Sequence, residues 1–222
     1  LATTAAAAAA EYVVPKSLRF NEGDSANLKK TPSTAGNRVY WTWSAWVKRT
    51  KSSVGSTYQT IFSAGADGNT NSAVVFDNSD RLEIWNVVGN SNVTQKITSR
   101  VFRDFSGWYH LVISATSSTL KLYVNGVEVT DWATDNEPGG ENWSFSGANA
   151  HYLGHYWDGG SNFKGDFLLA DVHFIDGFAL AATDFGETRS SDGVWVPKEY
   201  TGSYGTNGFH LNFSDSSTNE AL

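Results

Sequence analysis

Residues 108–129 constrain the fold most. Trp108-Tyr-His-Leu-Val-Ile-Ser-Ala115 and Leu120-Lys-Leu-Tyr-Val-Asn125 are apolar, β-branched and aromatic runs separated by the polar Thr116-Ser117-Ser118-Thr119. Two extended runs joined by so short a turn must be antiparallel neighbours. Asn125-Gly126 then supplies two residues that tolerate positive φ, the strongest short-range signal for a tight hairpin. Strands are therefore expected over 108–115, 120–125 and 127–129. Period-two alternation recurs through the chain. In 40–49, Trp41, Trp43, Ala45 and Val47 share one face, and Tyr40, Thr42, Ser44 and Trp46 share the other. Further strands are expected over 17–20, 59–64, 73–77, 81–86, 93–98, 151–155, 165–175 and 209–213, and a long loop over 131–150. Trp43 or Trp46, Trp108 and Tyr123 are expected in the core. Roughly a dozen short strands at this spacing predict an all-β fold, a two-sheet antiparallel jelly-roll sandwich. No internal repeat or dividing linker appears, so 15–222 reads as one domain.

Composition narrows the partners. The net charge is −7, and the longest cationic run is the pair Lys29-Lys30. A phosphate-binding surface needs a basic patch, so nucleic acid is not expected as a partner. There is no cysteine, which removes disulfides and thiolate metal sites. No apolar run approaches the ~20 residues of a membrane span, so membrane insertion is not expected. Methionine is also lacking, from which a processed chain or a segment of a longer one is expected. Residues 1–14 read as a low-complexity arm or linker. The start, 1–10, lacks the basic residues and Leu-rich centre of a signal peptide, and its alanine run favours a short helix.

Three segments together resemble the concanavalin A-like, laminin G-like family. Ser17–Ser25 followed by 39–50 is similar to its opening strands. Residues 107–129 resemble its central hairpin, with Trp108, His110, Tyr123, Asn125 and Gly126 in matching places. Residues 152–180 resemble its closing segment, in which a strand leaves Gly165 and runs through Ala170-Asp171-Val172. The likeness spans about 17–185 and implies the concanavalin A-like jelly roll. The segment from Phe174 to Ser217, including a C-terminal extension of about 186–222, resembles one that follows laminin G-like sandwiches in tailed, especially marine, bacteriophages. That resemblance implies a non-enzymatic virion surface protein: a fibre, appendage or capsid decoration, held to other virion proteins as a homo-oligomer, for instance a trimer, and meeting host-surface carbohydrate. In those relatives the segment continues beyond the equivalent of Ser217, so a longer chain is expected. The alternative is a secreted lectin-like module or a degenerate glycoside hydrolase.

Geometry decides which residues of this sequence can carry chemistry. The glucanases of this fold place paired acids as E-x-D-x-x-E on one strand, and retaining hydrolysis needs two carboxylates about 5–5.5 Å apart. Here the nearest string is Leu82-Glu83-Ile84-Trp85-Asn86, with Trp85 where an acid belongs. No catalytic residue is therefore assigned. His151 and His155 have helical zinc spacing, but on a strand they stand roughly 13 Å apart, too far for one ion. His110 and His173 lie within apolar strands and are expected to hydrogen-bond near the core. Calcium takes six to eight oxygens and is often held by turns. Glu22 and Asp24, with Asp215 after the last strand, are candidate ligands for a structural calcium, because first and last strands of such folds run side by side. The richest feature is aromatic. Trp132, Trp143, Tyr156 and Trp157, with Asp158 and Asn162, form a candidate carbohydrate-binding surface on 131–162. Flat rings stack on sugar faces, and Asp and Asn hydrogen-bond hydroxyls.

Overall fold

The computed structural model describes residues 11–55, 57–157 and 163–214. The expected helix at 1–10 and the residues Asp158, Asn162 and Asp215 lie outside them. In chain order the strands are β1 (Leu18–Phe20), β2 (Leu28–Lys30), β3 (Trp41–Arg49), β4 (Gln59–Asp67), β5 (Thr70–Phe76), β6 (Arg81–Val88), β7 (Ser91–Val101) and β8 (Tyr109–Ala115). They continue as β9 (Leu120–Val124), β10 (Val127–Glu128), β11 (Trp132–Asn136), β12 (Ala150–Leu153), β13 (Phe167–Asp176), β14 (Gly186–Thr188), β15 (Trp195–Pro197) and β16 (Phe209–Leu211). One seven-stranded sheet runs β1-β13-β3-β8-β9-β10, with β16 also on β13. The other runs β11-β7-β6-β5-β4-β12-β2, and β14 and β15 form a small ribbon. The pairings are antiparallel, so the expected two-sheet jelly roll is the architecture observed. No helix among the described residues is long and apolar enough to cross a membrane.

The core lies between the sheets, where alternation predicts it. Trp41, Trp43, Ala45 and Val47 of β3 point inward with Leu111 and Ile113 of β8, against Phe62, Val74 and Ile84 of the other sheet. At the hairpin, Asn125 and Gly126 both take positive φ, 50° and 80°. Gly126 is required for a second reason: a Cβ there would lie 2.5 Å from the Trp195 ring. Trp108 and Tyr123 are only half-buried and lie outside the main core.

The outer face of the first sheet is covered by the C-terminal segment. Ala182, Phe185, Trp195, Tyr200 and Tyr204 pack with Val112, Tyr123 and Ile175 in a second cluster. His110 lies beneath it: Trp195 Nε1 donates to His110 Nδ1 (2.9 Å), and His110 Nε2 meets Ser44 Oγ (2.9 Å). Residues 11–14, expected in the free arm, already touch the sandwich, with Tyr12 bonded to Asp171 and Glu11 paired with Arg189.

Two further expectations are corrected. The stretch read as loop 131–150 holds β11 along the edge of β7, with Asp135 opposite Lys96. Charge pins it there: Lys96, 3% exposed, pairs with Asp135 (2.7 Å) and Glu137 (2.5 Å) and sits 4.5 Å above the Trp132 ring. The first and last strands do not run side by side. β16 pairs residues 172–174 of β13 and β1 pairs 167–169, so the two lie end to end on one edge.

Candidate functional site

The outer face of the second sheet carries an aromatic shelf. Ala73 and Val75 of β5 and Trp85 of β6 form its apolar floor, with Tyr58, Val87 and Tyr156 packed against it. The rings form a connected series. Tyr58 lies 6.2 Å from Trp85 and 5.2 Å from Phe163, and Tyr156 lies 6.1 Å from Trp85, 5.4 Å from Phe163 and 5.9 Å from Trp157. Trp157 rests directly on β4, because Gly65 has no side chain: a Cβ there would fall 2.4 Å from the indole. Tyr58, Tyr156, Trp157 and Phe163 are half-exposed.

Polar groups are fixed among the rings. Asn71 Oδ1 accepts from both Trp85 Nε1 and Tyr156 OH, each at 2.9 Å. Ser63 Oγ donates to the His155 carbonyl (2.8 Å), which anchors the chain leading into Tyr156 and Trp157. Glu83, 4% exposed, accepts from Gln95 Nε2 at 2.7 Å. Burial pushes its carboxyl above the ordinary value, against the opposing effect of the Gln95 bond. The cross-strand partners of Glu83 are Val75 and Ile97, so the register sets no second acid beside it.

The structure separates the residues expected to form one surface. Tyr156 and Trp157 belong to the shelf. Trp132 lies on β11, at the far edge of the same sheet, and packs against the main core under Lys96. Trp143 is a correction: it is fully buried, edge-on to Trp41 at 5.1 Å and stacked with Phe145 at 6.0 Å, and has no free face to offer a sugar. Glu22 pairs with Lys51, and Asp24 accepts from Asn21 Nδ2 (2.9 Å) in the turn after β1. Because β1 and β16 are collinear, that turn leaves the end of β1 away from β16, so the premise that joined Glu22 and Asp24 to Asp215 fails. Tyr58, Asn71, Trp85 and Phe163 were missed as site residues. The available signal was the alternation of Glu83, Trp85 and Val87, which sets all three outward on β6 once Leu82 and Ile84 are assigned to the core.

Residues 20–184 match the laminin G type 3 family, described as the concanavalin A-like lectin/glucanases superfamily. No curated protein matches the sequence. Among solved structures, domains LG4-5 of the mouse laminin α1 chain are similar at 11% identity and a TM-score of 0.50, over 93% of this chain and 49% of that one. The native heptameric SAP-like pentraxin of Limulus polyphemus is 16% identical with a TM-score of 0.47, over 70% and 71% of the two chains. Domain 4 of a GH43 extracellular arabinanase from Geobacillus stearothermophilus, solved with arabinotriose, is 21% identical with a TM-score of 0.45, over 71% and 69%. At 11% identity the likeness to the laminin domains concerns the fold alone.

Proposed function

This chain belongs to the concanavalin A-like lectin/glucanases superfamily, and from that premise we propose that it is a non-catalytic carbohydrate-binding module that reads a glycan on the aromatic shelf of its second sheet. The observation that carries this reading is the connected series Tyr58, Trp85, Tyr156, Trp157 and Phe163, half-exposed at its outer members and built around the fixed acceptor Asn71. Flat apolar rings with hydrogen-bonding groups held between them suit sugar rings bearing hydroxyls. Hydrolysis is not part of the proposal. Glu83 has Val75 and Ile97 as strand partners, where a retaining mechanism needs a second carboxylate about 5–5.5 Å away.

For the setting, the proposal is a virion surface, with the module in repeated copies among other virion proteins. Its support is the resemblance of residues 174–217 to the segment that follows laminin G-like sandwiches in tailed phages. The competing setting is a secreted lectin-like module. Immunogold electron microscopy on phage particles from a host carrying the gene separates the two, since label absent from every particle overturns the virion setting.

The binding test is Trp157→Ala on a glycan array, followed by calorimetry on the best glycan. An aromatic anchor is worth about 2 kcal/mol or more at a hot spot, so affinity falls at least about thirtyfold. The thermal midpoint stays close to wild type, because Trp157 lies outside the sandwich core. Unchanged affinity in Trp157→Ala overturns the assignment of the shelf.

A further inference from the structure

On the opposite sheet, β13 is interrupted by a bulge between Ala170 and His173. There Asp171 takes φ 50°, the left-handed region that a non-glycine residue occupies only when its surroundings hold it. Its carboxylate is almost fully buried and gathers groups from three separate parts of the chain. His210 Nε2 of β16 lies 2.7 Å from Oδ1, Tyr12 OH of the N-terminal segment donates to Oδ1 at 3.0 Å, and His173 Nε2 stands 3.3 Å from Oδ2. His173 and His210 are directly opposite each other across β13 and β16.

His173 is the telling member. It is 1% exposed, and its Nε2 has no hydrogen-bond partner. Its other nitrogen, Nδ1, is 2.9 Å from Tyr204 OH. The Nδ1–Tyr204 contact fits either tautomer; with the proton on Nδ1 and donated to that hydroxyl, a bare Nε2 lone pair faces the Asp171 carboxylate. Two electron-rich atoms facing each other at 3.3 Å in a buried site are stable only with a cation or a proton between them.

We propose that Asp171, His173 and His210 bind one divalent transition-metal ion of the zinc class, through one carboxylate oxygen and the two Nε2 atoms. The candidate ligand atoms lie within 4.8 Å of one another. Two imidazoles and one carboxylate form a nitrogen-rich donor set that suits zinc, cobalt or nickel and not calcium, which wants six or more oxygens. Tyr204 on Nδ1 supplies the outer hydrogen bond that fixes the tautomer of a metal-bound histidine. Tyr12, already on the carboxylate, or a water fills the fourth position. The two imidazoles are stacked, with centroids 4.2 Å apart and planes 8° from parallel, so their in-plane lone pairs run side by side. One ring must tilt for a single ion to lie on both axes. His210 is the ring free to do so, being partly exposed on a three-residue edge strand. The ion would fasten β16, and with it the C-terminal segment, to β13.

The test uses the full chain, tag removed and stripped with EDTA. Zinc chloride is titrated by calorimetry and cobalt chloride by visible absorption. The expected result is one ion per chain, a tetrahedral cobalt spectrum and a raised thermal midpoint. Binding is lost in His210→Ala, whose metal-free midpoint stays near that of the stripped wild type. Tyr204→Phe binds about 10- to 100-fold more weakly, as loss of an outer-shell partner does. No saturable binding by the wild type overturns the proposal, as does equal binding by folded His210→Ala. Should that variant fail to fold, the cobalt spectrum of the wild type decides, because a purely octahedral, water-like spectrum overturns a site with two imidazoles.

Discussion

Arg49 and Asp80 form an ion pair at 2.9 Å with both side chains wholly buried, and Asp80→Asn tests what that pair contributes. Asp80 accepts from Ser53 N (2.8 Å), Ser53 Oγ (3.0 Å), Ser52 Oγ (2.7 Å) and Arg103 Nε (2.9 Å), tying the loop after β3 to the β5–β6 turn. Asp80 has φ 64°, a conformation asparagine tolerates, so the substitution removes charge with little backbone strain. It leaves Arg49 charged, buried and facing an amide. Breaking a buried pair from one side costs about 3–5 kcal/mol, far more than loss of an exposed pair. For a chain of this size that lowers the thermal midpoint by roughly 6–20 °C. Urea unfolding measures it directly. A difference below about 1 kcal/mol with an unchanged m-value would refute the reasoning. Replacing Arg49 with Met in the same background should recover part of the loss, since no buried charge then stands alone. The pH dependence has a definite sign. Burial alone would raise the Asp80 carboxyl, but the bonds from Ser53, Ser52, Arg103 and Arg49 outweigh it and hold it well below the usual range. The stabilisation is then complete above the unfolded value of about 4 and is lost as pH falls below it. The gap between wild type and Asp80→Asn should therefore narrow only below about pH 4.

Other outcomes follow from the same geometry. Burial lowers His110 to about 3 and His151 to about 4, so both rings are neutral in the fold. The unfolded chain takes up protons below its value of about 6.5, and stability falls as pH drops from there towards the folded values, by up to ~1.4 kcal/mol per pH unit for each ring. Urea midpoints equal at pH 7 and pH 5 would contradict this. Trp143→Ala, which empties a site between Trp41 and Phe145, should cost about 3–5 kcal/mol by urea unfolding. A loss below about 1 kcal/mol would return Trp143 to the surface.

What the sequence disclosed depended on how far each side chain reaches for its partners. The period of β3 was legible, because Trp41, Trp43, Ala45 and Val47 share one face, but which face points inward was not, since Trp43 and Trp46 lie on opposite faces and only the packing draws the Trp43 face inside. The Asn125-Gly126 turn was legible because its signal is wholly local. Trp143 was not: between Asn142 and Ser144, in a Gly- and Asn-rich stretch, only contact with Trp41, far away in sequence, draws it inside. The shelf was half-legible for a different reason. Ala73-Val74-Val75 is buried on both faces, and a doubly covered strand loses the alternation that separates inside from outside. β11 was missed because it pairs β7 on a path broken by a register shift between Trp132 and Thr134, and its lone apolar anchor, Trp132, resembled a surface ring.

The collinear placement of β1 and β16 has a consequence for engineering. The chain leaves β16 after Leu211 close to where it enters β1 at Leu18, and Lys16 Nζ bonds the Ser214 carbonyl at 3.1 Å. The sandwich therefore begins and finishes at nearly one point. A short peptide joining 214 to 16 would splice the two half-strands into a single partner for β13. New ends could then be opened at an exposed turn such as 116–119, giving a circular permutant with the same core. For the same reason the folded body could be grafted into a surface loop of a host protein without forcing that loop's stems apart.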